Sequence, residues 1–320
     1  MASARRDDAL GQTTVTVIVA AAANLAVAGA KAIAGLISGS AAMQAEAAHS
    51  GADTLTEAVL FIATRRGGRK PDPRHPLGHG RETYLWAFLA AMVTFVIGAG
   101  FAILRGLDIL LHGEPSDSAI AVPAVVLVFA FVMESASLRR SMTQARAGTQ
   151  RSGVPLSTYL RVTSDTALKA VVFEDVAALA GLVIAAGGLG LWHRTGDPRW
   201  DGAASLVIGL LLVSVAMTLA ATNLSLLTGR AASAPLQSAL RKEVESLPGV
   251  VAVQVFVAMV LGPANLFVAA KVQFAGNCSV ADVERVADEA EKRLRTRFPG
   301  VNYVFLDPTA ARNDVTGPSA

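Results

Sequence analysis

The sequence predicts a mainly α membrane protein, a bundle of six transmembrane helices followed by a small α/β domain. Three observations carry that prediction. The 320-residue chain is 52% hydrophobic and only 17% charged, too apolar for an ordinary soluble domain of this length. Its apolar residues gather between Thr14 and Leu227, whereas Arg230 to Ala320 has the mixed, periodic texture of a soluble fold with its own core. Its arginines sit mostly next to the apolar segments, which is the pattern of membrane topology. The expected organisation is therefore a membrane domain over 1–228, a soluble domain over 229–310 and a disordered tail over 311–320.

Six stretches, near 14–36, 41–63, 82–106, 119–138, 168–190 and 201–222, are each long enough to cross a hydrocarbon layer of about 30 Å, which takes roughly 20 helical residues. Ser38-Gly39-Ser40 is so short a break that spans one and two form an antiparallel hairpin. The connection between spans two and three carries Arg65, Arg66, Arg69, Lys70, Arg74 and Arg81. The one between spans four and five carries Arg139, Arg140, Arg146, Arg151 and Arg161. The other connections hold only Arg105, Arg194 and Arg199, so both termini are expected in the cytoplasm, with the protein in the cell (inner) membrane. Met1 to Gly11 mixes both charge signs without a cleavage site, and no removable signal peptide is expected. The soluble part reads as a helix over Pro235–Glu245, strands near Val250–Met259 and Leu266–Phe274, a helix over Val280–Phe298 and a strand over Val301–Leu306. That order, αββαβ, makes a two-layer α/β domain.

Composition also excludes. A net charge of +3 with arginines beside apolar segments is membrane topology, not a nucleic-acid footprint. A single cysteine, Cys278, rules out a disulfide framework or cysteine-built zinc cluster and is expected as a core thiol. No nucleophile–base arrangement, phosphate loop or cofactor fingerprint is visible, so no enzyme is expected. Spans two and five contribute only Phe61 and Phe173 as aromatics, which argues against a pocket for an organic cation.

Span two holds Glu46, His49, Asp53 and Glu57. At about 100° per residue, Glu46, Asp53 and Glu57 lie within roughly 40° of one another and His49 about 60° to one side. Such a stripe in lipid must face a polar cavity, a partner or an ion. His49 and Asp53 put an imidazole nitrogen and a carboxylate oxygen on one turn, half of a tetrahedral site for a zinc-like ion, and protons compete for the same lone pairs. Glu46 and Glu57 lie nearer the ends and are candidate proton relays. Span five supplies Glu174 and Asp175, which diverge by about 100°; Asp175 is the first choice because Ala178 and Gly181 follow it at packing intervals. Asp201 at the start of span six reads as a cap on free backbone amides, and Asn24 in span one as interhelical glue.

Together these residues resemble the cation diffusion facilitator family over about Thr14 to Pro308. The resemblance rests on Ser38-Gly-Ser-Ala-Ala42 leading into Glu46-Ala-Ala-His49-Ser-Gly-Ala-Asp53, and on His75-Pro-Leu-Gly-His79-Gly-Arg-Glu82. Glu174-Asp175, Asp201-Gly-Ala-Ala-Ser205 and Phe298-Pro-Gly300 add to it. It implies a homodimer through a cytoplasmic ferredoxin-like domain and the helices. It further implies proton-coupled export of zinc, manganese, iron, cobalt or nickel, with no cofactor beyond the transported ion. By motif position His49, Asp53 and Asp175 correspond to three of four transport-site ligands; Val171 stands where the fourth is common, leaving Glu174, water or another helix to complete the shell. Asp72, His75 and His79 match a second, cytoplasmic metal site by position, although the prolines and glycine there also suit a turn into span three. The soluble domain has no histidine, so no histidine-built cluster is expected in it, and Asp307-Pro308 reads as a turn. A scaffold or sensor that binds metal without moving it is the competing reading.

Overall fold

The computed structural model describes residues 24–113, 120–152 and 155–310. Its helices are α1 (Asn24–Ser38), α2 (Ala41–Gly67), α3 (Glu82–His112), α4 (Ala121–Ser152), α5 (Leu156–Val162), α6 (Thr166–Thr195), α7 (Arg199–Leu227), α8 (Ala234–Glu245) and α9 (Val280–Arg297). Its strands are β1 (Val250–Gly262), β2 (Asn265–Phe274) and β3 (Val301–Pro308). Residues 14–23 of span one, and the tail expected to be disordered, lie outside the described residues.

Two compact units result. One joins the helices up to Thr64 with Leu85–Asn223; the other joins Arg65–Tyr84 with the chain from Leu224 onward. In the first, α3, α4, α6 and α7 are long and apolar enough to cross a membrane. Alanines such as Ala42, Ala45, Ala90, Ala102, Ala177 and Ala185 dominate its interior, which lets backbones approach where lipid offers no hydrophobic drive between helices. Large apolar side chains such as Leu104, Val125 and Val183 point outward instead, as lipid requires.

Two local features depart from the sequence expectation. α3 carries a π-helical segment over Thr94–Ala99, and Gly98 within it packs beside Ala52 and the backbone of His49. α4 does not stop at residue 138; it continues to Ser152 and is followed by α5, so most of the expected loop is helical. The extension is held by Ala145 and Met142 packing with Leu156, Tyr159 and Leu160 against Leu168 and Val172 of α6.

In the second unit β1 and β2 pair antiparallel and β2 and β3 parallel, in the order β1-β2-β3, giving the expected αββαβ sheet with α8 and α9 packed against it. Leu240 and Val244 of α8 and Val286, Ala290 and Leu294 of α9 bury against Val253, Val268, Ala270 and Val272. α9 starts in a capping box formed by Ser279 and Asp282. Asp307-Pro308 is not a turn: β3 runs through it, because Asp307 faces Lys271 in register and pairs with its ammonium at 3.2 Å. Cys278 is half-buried rather than sealed in the core, since it sits in the short link between β2 and α9. The segment before α3 belongs to this unit. A Cβ on Gly80 would lie 2.7 Å from the carbonyl oxygen of Leu261, so only glycine allows that approach.

Candidate functional site

α2 is pinned at its first turn from across the bundle. The Asp201 carboxylate accepts from the Ser40 hydroxyl at 2.7 Å, from the Ala41 amide, and from the Ala42 amide at 3.4 Å. It caps α2, therefore, rather than the helix it belongs to: in α7 it lies inside the first turn, and its side chain is buried toward the α1–α2 break. Asp201→Ala is expected to leave a buried hydroxyl and two amides without an acceptor, costing about 2–3 kcal/mol. Thermal unfolding of the purified protein checks this, with Asp201→Asn expected to lose less; an unchanged midpoint would contradict it.

Below that pin the acids of α2 meet those of α4 and α6 around a cavity of about 60 Å³. Asp53, Glu57, Glu134, Glu174 and Asp175 line it, with Asn24, Ser50, Ser137 and Val171. Neighbouring positions on α6 diverge, yet both its acids reach this space because α6 is enclosed on two sides. Asp175 turns to α4, accepting from Ser137 at 2.9 Å and Ser141 at 2.8 Å, while Glu174 reaches Thr94 of α3. His49 is buried behind Asp53, with Nδ1 3.3 Å from the Asp53 carboxylate. Neither ring nitrogen has a hydrogen-bond partner among the described residues, an uncommon state for a buried imidazole and one that leaves a lone pair available to a ligand. Val171 stands in the cavity wall one turn before Asp175. The ligand atoms of His49, Asp53 and Asp175 do not all come within 4.8 Å of one another in this conformation, so the three line one region without closing on one point.

Glu57 accepts from Asn24 at 2.6 Å, so Asn24 does join helices. Glu46 is fully buried and is engaged by Lys31 of α1 at 3.1 Å. Its other oxygen occupies the space over Gly181, where a Cβ would collide with it; the small residue expected to mark helix–helix contact makes room for a carboxylate instead. Lys31, Glu134, Ser137 and Ser141 escaped the sequence reading. The signal existed for the first two, each being an ionisable residue within an apolar span. The serines gave none.

In the second unit Asp72, His75 and His79 bring three ligand atoms within 4.8 Å of one another. Asp72 Oδ1 accepts from the amides of Arg74 at 2.8 Å and His75 at 2.7 Å, and its other oxygen lies 3.0 Å from His79 Nε2. The His75 amide, then the His79 ring, hold the Asp72 carboxyl down at about 2, well below the usual range. Glu82 lies 2.5 Å from His79 Nδ1, orienting the ring from outside in the way that a ligating imidazole requires. Glu82, and after it Asp72, raises the His79 pKa above its ordinary value.

The fold and these sites define a class: a multi-pass membrane protein with an acid-lined cavity inside its helical unit and a small αββαβ domain. Residues 17–228 match the family model described as the cation efflux transmembrane domain, and residues 233–307 the one described as the cation efflux protein, cytoplasmic domain. The chain belongs to the cation efflux, or cation diffusion facilitator, family. It is 34% identical to the proton-coupled zinc antiporter SLC30A9, mitochondrial, of Xenopus laevis over 246 residues, covering 77% of this chain and 44% of that one. It is 32% identical to metal tolerance protein C4 of Arabidopsis thaliana over 238 residues, 74% of this chain and 52% of that one. With the cation-efflux pump FieF of Shewanella oneidensis it shares 26% over 281 residues, 86% of each chain. The chain thus spans about half the length of the first two of these relatives.

Proposed function

We propose that the protein is a proton-coupled antiporter that exports a divalent cation, zinc first, from the cytoplasm through the cavity between α2, α4 and α6. One observation carries this reading: five carboxyl groups gather around one cavity in an apolar helical unit, beside an imidazole with no hydrogen-bond partner among the described residues. Carboxylates so placed are costly without a cation to hold. A dication and protons satisfy the same lone pairs, so each displaces the other, and a site whose preference differs between inward- and outward-facing states couples their movements. Glu57, in the cavity wall, and Glu46, behind it, serve as proton relays. The name of the frog relative, a proton-coupled zinc antiporter, supports both zinc and the proton coupling. Homodimerisation is supported by the soluble unit's match to the family's cytoplasmic-domain model and by the exposed Val251, Val255, Val257 and Phe305 on its sheet. Charge placement supports the cell membrane with both termini cytoplasmic.

The test is reconstitution. Vesicles carrying the full chain, an entrapped metal-sensitive dye and an imposed pH gradient are expected to move zinc against protons; binding without flux would favour the sensor reading instead.

The cavity also supports a second reading of the cargo. Its lining donors among the described residues are carboxylate, hydroxyl and amide oxygens beside the Met133 thioether, and oxygen-rich shells favour harder ions such as manganese over zinc. Flux competition between the two metals decides. Val171→His is expected to shift that competition toward zinc about tenfold, by adding a nitrogen donor one turn from Asp175; an unshifted ratio would place residue 171 outside the binding shell.

A further inference from the structure

Lys31 lies in the middle of an apolar helix and has no exposed surface, so its ammonium does not snorkel to an interface. Instead it sits 3.1 Å from Glu46 Oε2 and 3.6 Å from Glu134 Oε1, and donates to the Ser50 hydroxyl at 2.7 Å. Glu134 and Ser50 line the cavity; Glu46 stands behind it with Oε1 over Gly181 and without a hydrogen-bond partner among the described residues. A lysine that only neutralised Glu46 would have no reason to reach the cavity wall. This one joins a carboxylate of the wall to one outside it, at the meeting of α1, α2 and α4.

We propose that Lys31 is a resident counter-cation of the transport cavity, a residue that sets how tightly the dication is held. The inference rests on the antiporter reading and deepens it. A cavity lined by five carboxyl groups, left to itself, would bind a dication too strongly to release it, and turnover needs a site that empties. A fixed positive charge behind the wall offsets part of that attraction without competing for donor atoms. It also occupies Glu134, so the cargo meets Asp53, Glu174 and Asp175 before it meets the carboxylate on α4. Lys31 is accordingly an affinity-determining residue and not a ligand.

The test uses the full chain and zinc as the probe, with zinc binding measured in detergent and flux in vesicles. Loss of a unit charge about 10 Å from a dication, at an effective dielectric of about 20, changes affinity by roughly two orders of magnitude. Lys31→Met is therefore expected to tighten zinc binding and lower KM about a hundredfold while kcat falls, because release slows. Lys31→Arg keeps the charge and should stay within about threefold of the native protein on that same scale. The double variant Lys31→Met, Glu46→Gln restores the charge balance and should return the zinc affinity toward native, whatever the loss of Glu46 does to turnover. A purely structural lysine predicts lower kcat with KM unchanged or raised, and that result, or a double variant no closer to native than the single one, overturns the proposal. Should Lys31→Met fail to assemble, Glu46→Gln alone carries the test: with one carboxylate fewer beside Lys31 it is expected to weaken zinc binding about a hundredfold, and unaltered binding overturns the idea. Absence of flux in the native protein would sink the antiporter reading, whereas the binding measurements would still judge Lys31.

Discussion

Removing both His49 and Asp53 by alanine substitution is expected to lower proton-driven dication transport at least about a hundredfold, to the background of empty vesicles. Loss of groups that merely orient metal ligands costs about 10–100-fold, so deleting two direct donors sets that range as a floor. The geometry makes these two the pair to remove. They are the imidazole and carboxylate on one turn of α2, 3.3 Å apart, one buried and the other in the cavity wall. They also lie beside the π segment of α3, whose Gly98 packs on the His49 backbone. Such a segment is an irregularity through which a helix shifts register, so the pair sits where a change between access states would be felt. The same substitutions remove two polar groups from an apolar interior, so no fold-wide loss is expected: the unfolding midpoint should hold or rise. Flux undiminished in the double variant would dissociate these residues from transport even if the native protein carries metal.

How much of this was readable beforehand depends on which physical rule was asked. Hydrophobic length located the helices, because crossing lipid imposes a minimum run that nothing else in a protein mimics. It misplaced the end of α4, because hydropathy reports where the membrane stops and not where helical hydrogen bonding stops; Arg139 to Ser152 is polar yet helical. The stripe on α2 was legible since four ionisable residues in one span have no inexpensive explanation. Lys31 and Glu134 obey the same rule but stand alone in their spans, and a lone lysine has a bland alternative in snorkelling. Only its three-dimensional neighbours, Glu46, Glu134 and Ser50, dispose of that alternative. Asp201 shows a related limit. Its chemistry, a carboxylate on helix amides, followed from local sequence, but the helix it serves is 160 positions away from it in the chain, and no local pattern encodes that. Asp307 failed for the opposite reason: Asp-Pro favours turns in isolation, and a strand neighbour with the opposite charge overrode the preference.

The loop before α3 should bind a dication with an affinity that falls at least roughly tenfold per pH unit once the pH drops below the raised pKa of His79. His79 sets that minimum slope, because a ligating imidazole must surrender its proton. Asp72 adds none: held at about 2, it is ionised across the whole range. The sign in the metal-free protein runs the other way. The contacts of protonated His79 with Glu82 and Asp72 favour the folded loop fully below the ordinary imidazole value near 6.5, and that contribution is lost as pH rises through the raised one. The Asp72 contribution is present above its ordinary value near 4 and lost only as pH falls toward 2. The loop is thus expected to be held by a proton under mildly acidic conditions and by a metal above them. Calorimetry on the full chain in the His49→Ala, Asp53→Ala background, which leaves this site to dominate, should find zinc affinity lower by at least about a hundredfold two pH units below the His79 pKa. His75→Ala, His79→Ala in that background should abolish the heat. Affinity that ignores pH, or survives loss of both imidazoles, would mean that Asp72, His75 and His79 form a turn and not a metal site.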